Sequence, residues 1–232
     1  MVNGKRVDAL RRIDADIEPG ATVSVVGYSG CGKTTLLRVI SGLEKPDEGR
    51  IEFFAADGRP SRPGRMAMVF QEHRLLPWLT VEENMALALR HGSGPEGSEG
   101  AVSRTLEIIG IQEFRHAYPH QLSGGMAQRV ALGRALCRQP DLLLMDEPFG
   151  ALDALTRYKL RQELLGIFSG LSVTIILVTH DVTEALLLGS KVIVLDRGQV
   201  SNEVAIPMAY PRDEGSPEFV KLRDRVMKSI FK

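Results

Sequence analysis

Thr22-Val23-Ser24-Val25-Val26-Gly27-Tyr28-Ser29-Gly30-Cys31-Gly32-Lys33-Thr34-Thr35 decides the fold of this 232-residue chain. Its first five residues form a short apolar run rich in β-branched side chains, the pattern of a strand buried on both faces. Residues 27–34 then fit G-x-x-x-x-G-K-[ST], and a helix is expected to open near Lys33. In that strand–loop–helix order the glycines let backbone N–H groups curl around a polyphosphate, and the helix adds the positive end of its dipole. Gly27, Ser29, Gly30, Cys31, Gly32, Lys33, Thr34 and Thr35 are therefore the candidate nucleotide-binding residues. Lys33 is expected to reach the β- and γ-phosphates of ATP, and Thr34 to offer its hydroxyl to Mg²⁺.

Further runs of the same kind follow at Met66–Phe70, Leu142–Met145, Val173–Val178 and Val192–Leu195. Helical patterns separate several of them, which predicts an α/β fold with a mainly parallel sheet. Ile51–Phe54 and Gln199–Ile206, bounded by glycine or proline, read as peripheral antiparallel strands. Between Gln71 and about Ala135 the character turns helical. Val81–Arg90 and Val102–Ile109 carry apolar residues at helical spacing, and the glycine- and serine-rich residues 91–100 read as a surface loop. The expected organisation is one domain over 1–232, with a core of 1–71 and 136–232 and an inserted helical subdomain of 72–135. The tail from Pro217 is expected to dock on that domain as an amphipathic helix through Phe219, Leu222, Val226 and Ile230.

The ends of the parallel strands carry the remaining chemistry, because in such sheets the carboxyl ends line the ligand crevice. Leu142–Met145 ends in Asp146 and Glu147. Asp146 suits the Mg²⁺ shell, and Glu147 suits a general base acting on the attacking water. Gln71 follows Met66–Phe70, where an amide could touch both Mg²⁺ and that water. His180 follows Val173–Thr179, where an imidazole could donate to the terminal phosphate. Ser123, Gly124 and Gly125 open a predicted helix, Met126–Cys137, and form a second anion site. Since Lys33 and Gln71 already surround one γ-phosphate, the economical reading is that Ser123 faces ATP held by another subunit. A simple N-cap serine would explain Ser123 but leave the two glycines without a reason.

Composition narrows the classes. Lysine plus arginine number 29, as do aspartate plus glutamate, so no general attraction to nucleic acid or an anionic membrane is expected. Two cysteines are too few for a disulfide framework and fit a reducing compartment. The polar start is expected to lack a signal peptide, and no run reaches the roughly 18 apolar residues of a membrane span.

Taken in order, these motifs resemble the nucleotide-binding subunit of an ATP-binding-cassette (ABC) transporter. Gly27–Thr34 stands as Walker A, Gln71 as Q-loop, Leu122-Ser123-Gly124-Gly125-Met126 as signature and Leu142–Asp146 as Walker B. Glu147 stands as catalytic glutamate, Ala151-Leu152-Asp153 as D-loop and His180 as switch histidine. The resemblance implies a P-loop NTPase (RecA-like) core, ATP and Mg²⁺ as cofactors, and nucleotide contacts that include Asp153. It implies a homodimer, or a pair with a second ABC subunit, closing on two ATP molecules. It further implies integral-membrane permease partners, an extracytoplasmic solute-binding protein acting indirectly, and residence on the cytoplasmic face of the inner membrane.

Leu75-Leu76-Pro77-Trp78 after the Q-loop, with Tyr118-Pro119-His120-Gln121 before the signature, is similar to importers of the nitrate, sulfonate and taurine group. The alternative is a soluble ABC ATPase of DNA maintenance or cluster assembly. One departure from the family pattern stands out: residues 1–26 hold no Phe, Tyr or Trp to stack on adenine. Stacking on a base is worth about 1–3 kcal/mol, so the chain is expected to bind ATP weakly and to distinguish it poorly from GTP. Comparing ATP and GTP dissociation constants checks this; strong preference for ATP at low micromolar affinity would contradict it. The chain, ending at Lys232, is also expected to carry no regulatory domain.

Overall fold

The computed structural model describes residues 8–55, 58–61, 64–89, 97–150 and 152–231. In chain order the elements are β1 (Thr22–Val26), α1 (Lys33–Ile40), β2 (Phe53–Phe54), β3 (Pro60–Ser61), β4 (Met66–Val69), α2 (Val81–Ala86), α3 (Gly97–Ile108), α4 (Gly124–Leu136), β5 (Leu142–Asp146), α5 (Ala154–Ser169), β6 (Thr174–Val178), α6 (Val182–Leu188), β7 (Lys191–Asp196), β8 (Gln199–Ala205) and α7 (Pro217–Ile230). They fall into two compact units, residues 1–62 with 174–232, and residues 63–173.

In the first unit β1 lies between β6 and β7 and is parallel to both, with Val25 opposite Val178 on one side and Ile193 on the other. β8 closes the edge antiparallel to β7. Each parallel strand is buried along nearly its whole length, so none shows the inside–outside alternation of a half-exposed sheet. The antiparallel edge expected at Gln199–Ile206 is thus present. The expectation at Ile51–Phe54 holds in reduced form, because only Phe53–Phe54 pairs, with Pro60–Ser61 in a separate two-stranded ladder.

α6 packs on β1 and β7, and α7 packs on α6, β7 and β8. Phe219 and Val226 of α7 are buried and Leu222 and Ile230 half-buried, as the amphipathic pattern predicts. Burying a phenylalanine of this kind contributes roughly 2–3 kcal/mol. The C-terminal carbonyls of α6 are satisfied from outside the helix. Arg212, 8% exposed, donates to Leu186 O and Gly189 O, and Tyr210 Oη donates to Leu188 O at 2.7 Å.

In the second unit β4 and β5 run parallel, with Val69 opposite Met145, and α4 packs on β4, α2, α3 and α5. Thr80 and Glu83 form a reciprocal capping box at the start of α2. Two boundaries differ from expectation. The segment Val81–Arg90 is α-helical only to Ala86 and tightens to a 3₁₀ turn at Leu87–Leu89; Arg90 lies outside the described residues. α3 starts at Gly97, within the segment read as loop, of which residues 91–96 lie outside the described residues. Glu99 in its first turn suits the helix dipole, and Ala101, Val102 and Leu106 bury its inner face. The glycines and serines before them hide the helical period from a reading of apolar spacing alone. Among the described residues no helix is long and apolar enough to cross a membrane.

Candidate functional site

In the first unit the phosphate loop connects β1 to α1. Gly30 and Gly32 have φ of 80° and 107°, a region that side-chain-bearing residues avoid. Gly27 is fixed by space instead: a Cβ there would fall on the Leu195 carbonyl oxygen and the Cys31 sulfur. Gly32 is also the N-cap of α1, and as a glycine it brings no side-chain cap of its own. A glycine-capped helix start behind a glycine-rich loop is the arrangement expected of a phosphate seat. Lys33, 6% exposed, folds back so that Nζ donates to Gly27 O at 2.9 Å and Tyr28 O at 3.0 Å. Its ammonium is thereby held at the mouth of the loop, while Thr34 is exposed and Thr35 half-buried on the first turn of α1. The Tyr28 hydroxyl donates to Asp196 Oδ1 at 2.8 Å and ties the loop to the end of β7.

His180 belongs to the same unit. Thr179 N donates to Val25 O at 3.1 Å, which sets His180, exposed, just past the end of β6 where the neighbouring β1 enters the phosphate loop. The structure thus places the predicted histidine beside the predicted loop by backbone register.

In the second unit the register of β4 and β5 brings Gln71, Asp146 and Glu147 to one end of the strand pair. Asp146 is 6% exposed, Glu147 half-buried and Gln71 exposed. Gly150 turns back toward them. A Cβ on it would sit 3.3 Å from Gln71 Nε2 and 3.5 Å from Glu147 Oε2, so amide and carboxylate flank one point in space. Glu147 itself has φ of 43°, a strained value for a side-chain-bearing residue and of the kind found at functional sites.

Ser123 is the N-cap of α4, and its Oγ accepts from Met126 N at 3.3 Å. Ser123 and Gly124 are exposed, and Gly125 is buried. The glycines have a reason inside the chain that the sequence did not reveal: a Cβ on Gly125 would lie 2.9 Å from Thr156 Cγ2, and one on Gly124 3.2 Å from Leu152 Cδ2. Close packing on α5 therefore accounts for Gly125 without a second subunit. Asp153 caps α5, its Oδ1 accepting from Leu155 N and Thr156 N at 3.1 Å each. The hydrogen bond from Thr156 is the main cause that holds its carboxyl below the usual aspartate value. Ala151 lies outside the described residues.

The sequence reading missed a link between the Gln71 loop and α4. His73 Nδ1 lies 2.6 Å from Oε1 of Gln128, which is 2% exposed. Arg134 donates to Arg74 O at 2.8 Å and His73 O at 3.0 Å. Asn84 staples the next stretch, bonding Leu76 N and O, Leu79 O and Thr80 O. His73, two residues past Gln71, was the available signal, but its partner lies 55 residues away.

Cys31 is 1% exposed, and burial pushes its thiol above the ordinary value of 9.0 despite the nearby Lys33. A buried thiol held in its protonated form is an inert side chain, not a reactive one. The thiolate is the reactive form, so alkylation by iodoacetamide at pH 7 is expected to be slow and to accelerate only above the free-thiol range. Rapid, ATP-protected labelling at neutral pH, read by mass spectrometry, would contradict this.

A glycine-rich loop that joins a buried parallel strand to a helix opening on a lysine defines the class: a nucleoside-triphosphate-binding fold. The chain belongs to the ABC transporter family, whose model matches residues 10–150. It is 43% identical to the aliphatic sulfonates import ATP-binding protein of Bacillus subtilis, over 99% of this chain and 89% of that one. It is 46% identical to the aliphatic sulfonates import ATP-binding protein 1 of Pseudomonas fluorescens, over 95% and 80%. Among solved structures it resembles a dimeric ATP-binding cassette in a post-hydrolysis state bound to ADP and Pi. The TM-score there is 0.74 at 32% identity, covering 90% of this chain and 95% of that one.

Proposed function

We propose that this chain is the ATP-hydrolysing subunit of an importer for aliphatic sulfonates or similar small organic anions. Two relatives that match nearly its whole length carry that name, and they favour transport over the soluble DNA-maintenance or cluster-assembly alternative. The observation that carries the chemistry is the convergence of Gln71 Nε2 and Glu147 Oε2 around Gly150, next to buried Asp146.

Lys33 and the loop N–H groups hold the phosphates, and His180 donates to the terminal one. Glu147 takes the proton of the attacking water, which Gln71 helps to orient. Thr34 hydroxyl, Asp146 carboxylate and Gln71 amide are hard oxygen donors that fit Mg²⁺, an ion commonly bound by one or two carboxylates plus substrate phosphates. When bound, it neutralises charge developing on those phosphates. Ser123, Gly124 and Gly125, with Asp153, serve ATP held by the facing copy; the dimeric assembly of a solved relative supports this. Functionally the chain divides into a catalytic core, 1–71 and 136–232, and a helical subdomain, 72–135, that meets the permease. It works peripherally, on the cytoplasmic side, and the solute-binding protein acts through the permease.

Reconstitution tests the reading. With its cognate permease and binding protein in liposomes, ATPase activity is expected to rise when an aliphatic sulfonate is supplied on the opposite side. Stimulation by unrelated solutes alone, or co-purification with a nucleic-acid partner in place of a permease, would contradict it.

A further inference from the structure

We propose that Thr179 and Glu184 are positioning residues that set the direction of His180; the inference rests on the reading of His180 as the terminal-phosphate contact. Glu184 is a carboxylate-bearing residue only 3% exposed, on a helix packed flat against β1 and β7. Burying such a group is costly unless it is hydrogen-bonded, and nothing in the hydrolytic chemistry uses it. Its Oε2 lies 2.6 Å from Thr179 Oγ1, and Thr179 is 1% exposed.

The hydroxyl also accepts from Asp181 N at 3.1 Å. Asp181 Oδ1 in turn accepts from Thr183 N at 2.7 Å and Glu184 N at 3.2 Å. His180 is therefore the residue spanned by the 179–181 bond of a closed ring running 179–181–184–179. The ring is anchored to β1 where Thr179 N donates to Val25 O, and the residue after Glu184 is held to the same strand, Ser24 Oγ donating to Ala185 O at 3.1 Å. Since β1 feeds the phosphate loop, the same strand positions the loop and the histidine. The ring fixes the backbone on both sides of His180, and with it the Cα–Cβ direction from which the imidazole extends. Misplacing such a group by about 1 Å can cost on the order of 100-fold in rate.

The test is steady-state ATPase of the full-length chain, with phosphate release followed sensitively enough to read residual turnover. Thr179→Val removes one hydroxyl and keeps shape. It is expected to lower kcat about 10-fold or more while leaving KM for ATP within about threefold. Thr179→Ser and Glu184→Gln keep the donor and an acceptor, and are expected to stay within about threefold of the parent. In a His180→Ala background, adding Thr179→Val is expected to change kcat by less than about twofold, because residues acting through one group are not additive.

The proposal is overturned if Thr179→Ser loses as much as Thr179→Val, or if Thr179→Val costs the same factor with and without His180. A lowered kcat for His180→Ala beside an unchanged one for Thr179→Val would remove this inference alone. An unchanged kcat for His180→Ala would remove the reading of His180, and the inference with it. Should Glu184→Gln fail to fold, the Thr179 pair still decides.

Discussion

Glu147→Gln is expected to bind ATP and close the dimer as the parent does, and to lose turnover by about 10²–10⁴-fold, the usual contribution of a general base. The substitution keeps the shape of the side chain and an oxygen that accepts hydrogen bonds, but the amide takes no proton. The environment explains why this glutamate is singled out. It follows Asp146 at the end of β5, is half-buried, and is held at φ of 43°, with Oε2 and the Gln71 amide both close to Gly150. Single-turnover phosphate release, with dimer formation followed by light scattering or gel filtration, separates the two effects. Equal hydrolysis rates for variant and parent would remove Glu147 from the role of base.

Lys33→Ala is expected to weaken ATP binding about 100-fold or more and to abolish measurable turnover, since charge-assisted bonds to phosphate are the strong ones. The ammonium is nearly buried and is oriented by two carbonyls of its own loop, Gly27 O and Tyr28 O. Its direction is thus set before nucleotide arrives, and little ordering is left for binding to impose. Lys33→Arg is expected to fail too, because a planar guanidinium does not fit the two-carbonyl seat of a compact ammonium. Calorimetry with a non-hydrolysable ATP analogue measures the loss; an unchanged dissociation constant would contradict the assignment.

The strand–loop–helix at residues 22–40 and the acidic end of β5 were legible because each rests on local physics. β-branched runs, glycines and a fixed lysine spacing act within one turn of chain, and the structure needs them where they stand. The signature glycines were legible as a motif, but their packing on Leu152 and Thr156 was not, because those partners come from α5 and the loop before it, beyond β5 in the chain. The start of α3 was hidden by Gly97, Ser98 and Gly100 around Glu99. Glu184 and Gln128 were invisible for the same reason as each other. In a sequence they are ordinary polar helix residues; only the packing of α6 on β1 and of α4 on β4 makes them buried. Long-range side-chain pairs of this kind carry no period to detect.

The central claim is that one copy supplies the phosphate loop and the other the Ser123 end of α4, so that a single chain holds halves of two different sites. Mixing two inactive variants, Lys33→Ala and Ser123→Arg, tests it most directly. Ser123 is exposed, so the arginine fits the chain itself, at a cost of about 1 kcal/mol for the lost helix cap. In a mixed dimer the intact loop of one copy faces the intact Ser123 of the other, restoring one site. Equal mixing is predicted to recover ATPase activity, up to about a quarter of the parent value for a freely exchanging two-fold dimer. No recovery, with mixed dimers shown to form, would contradict the account.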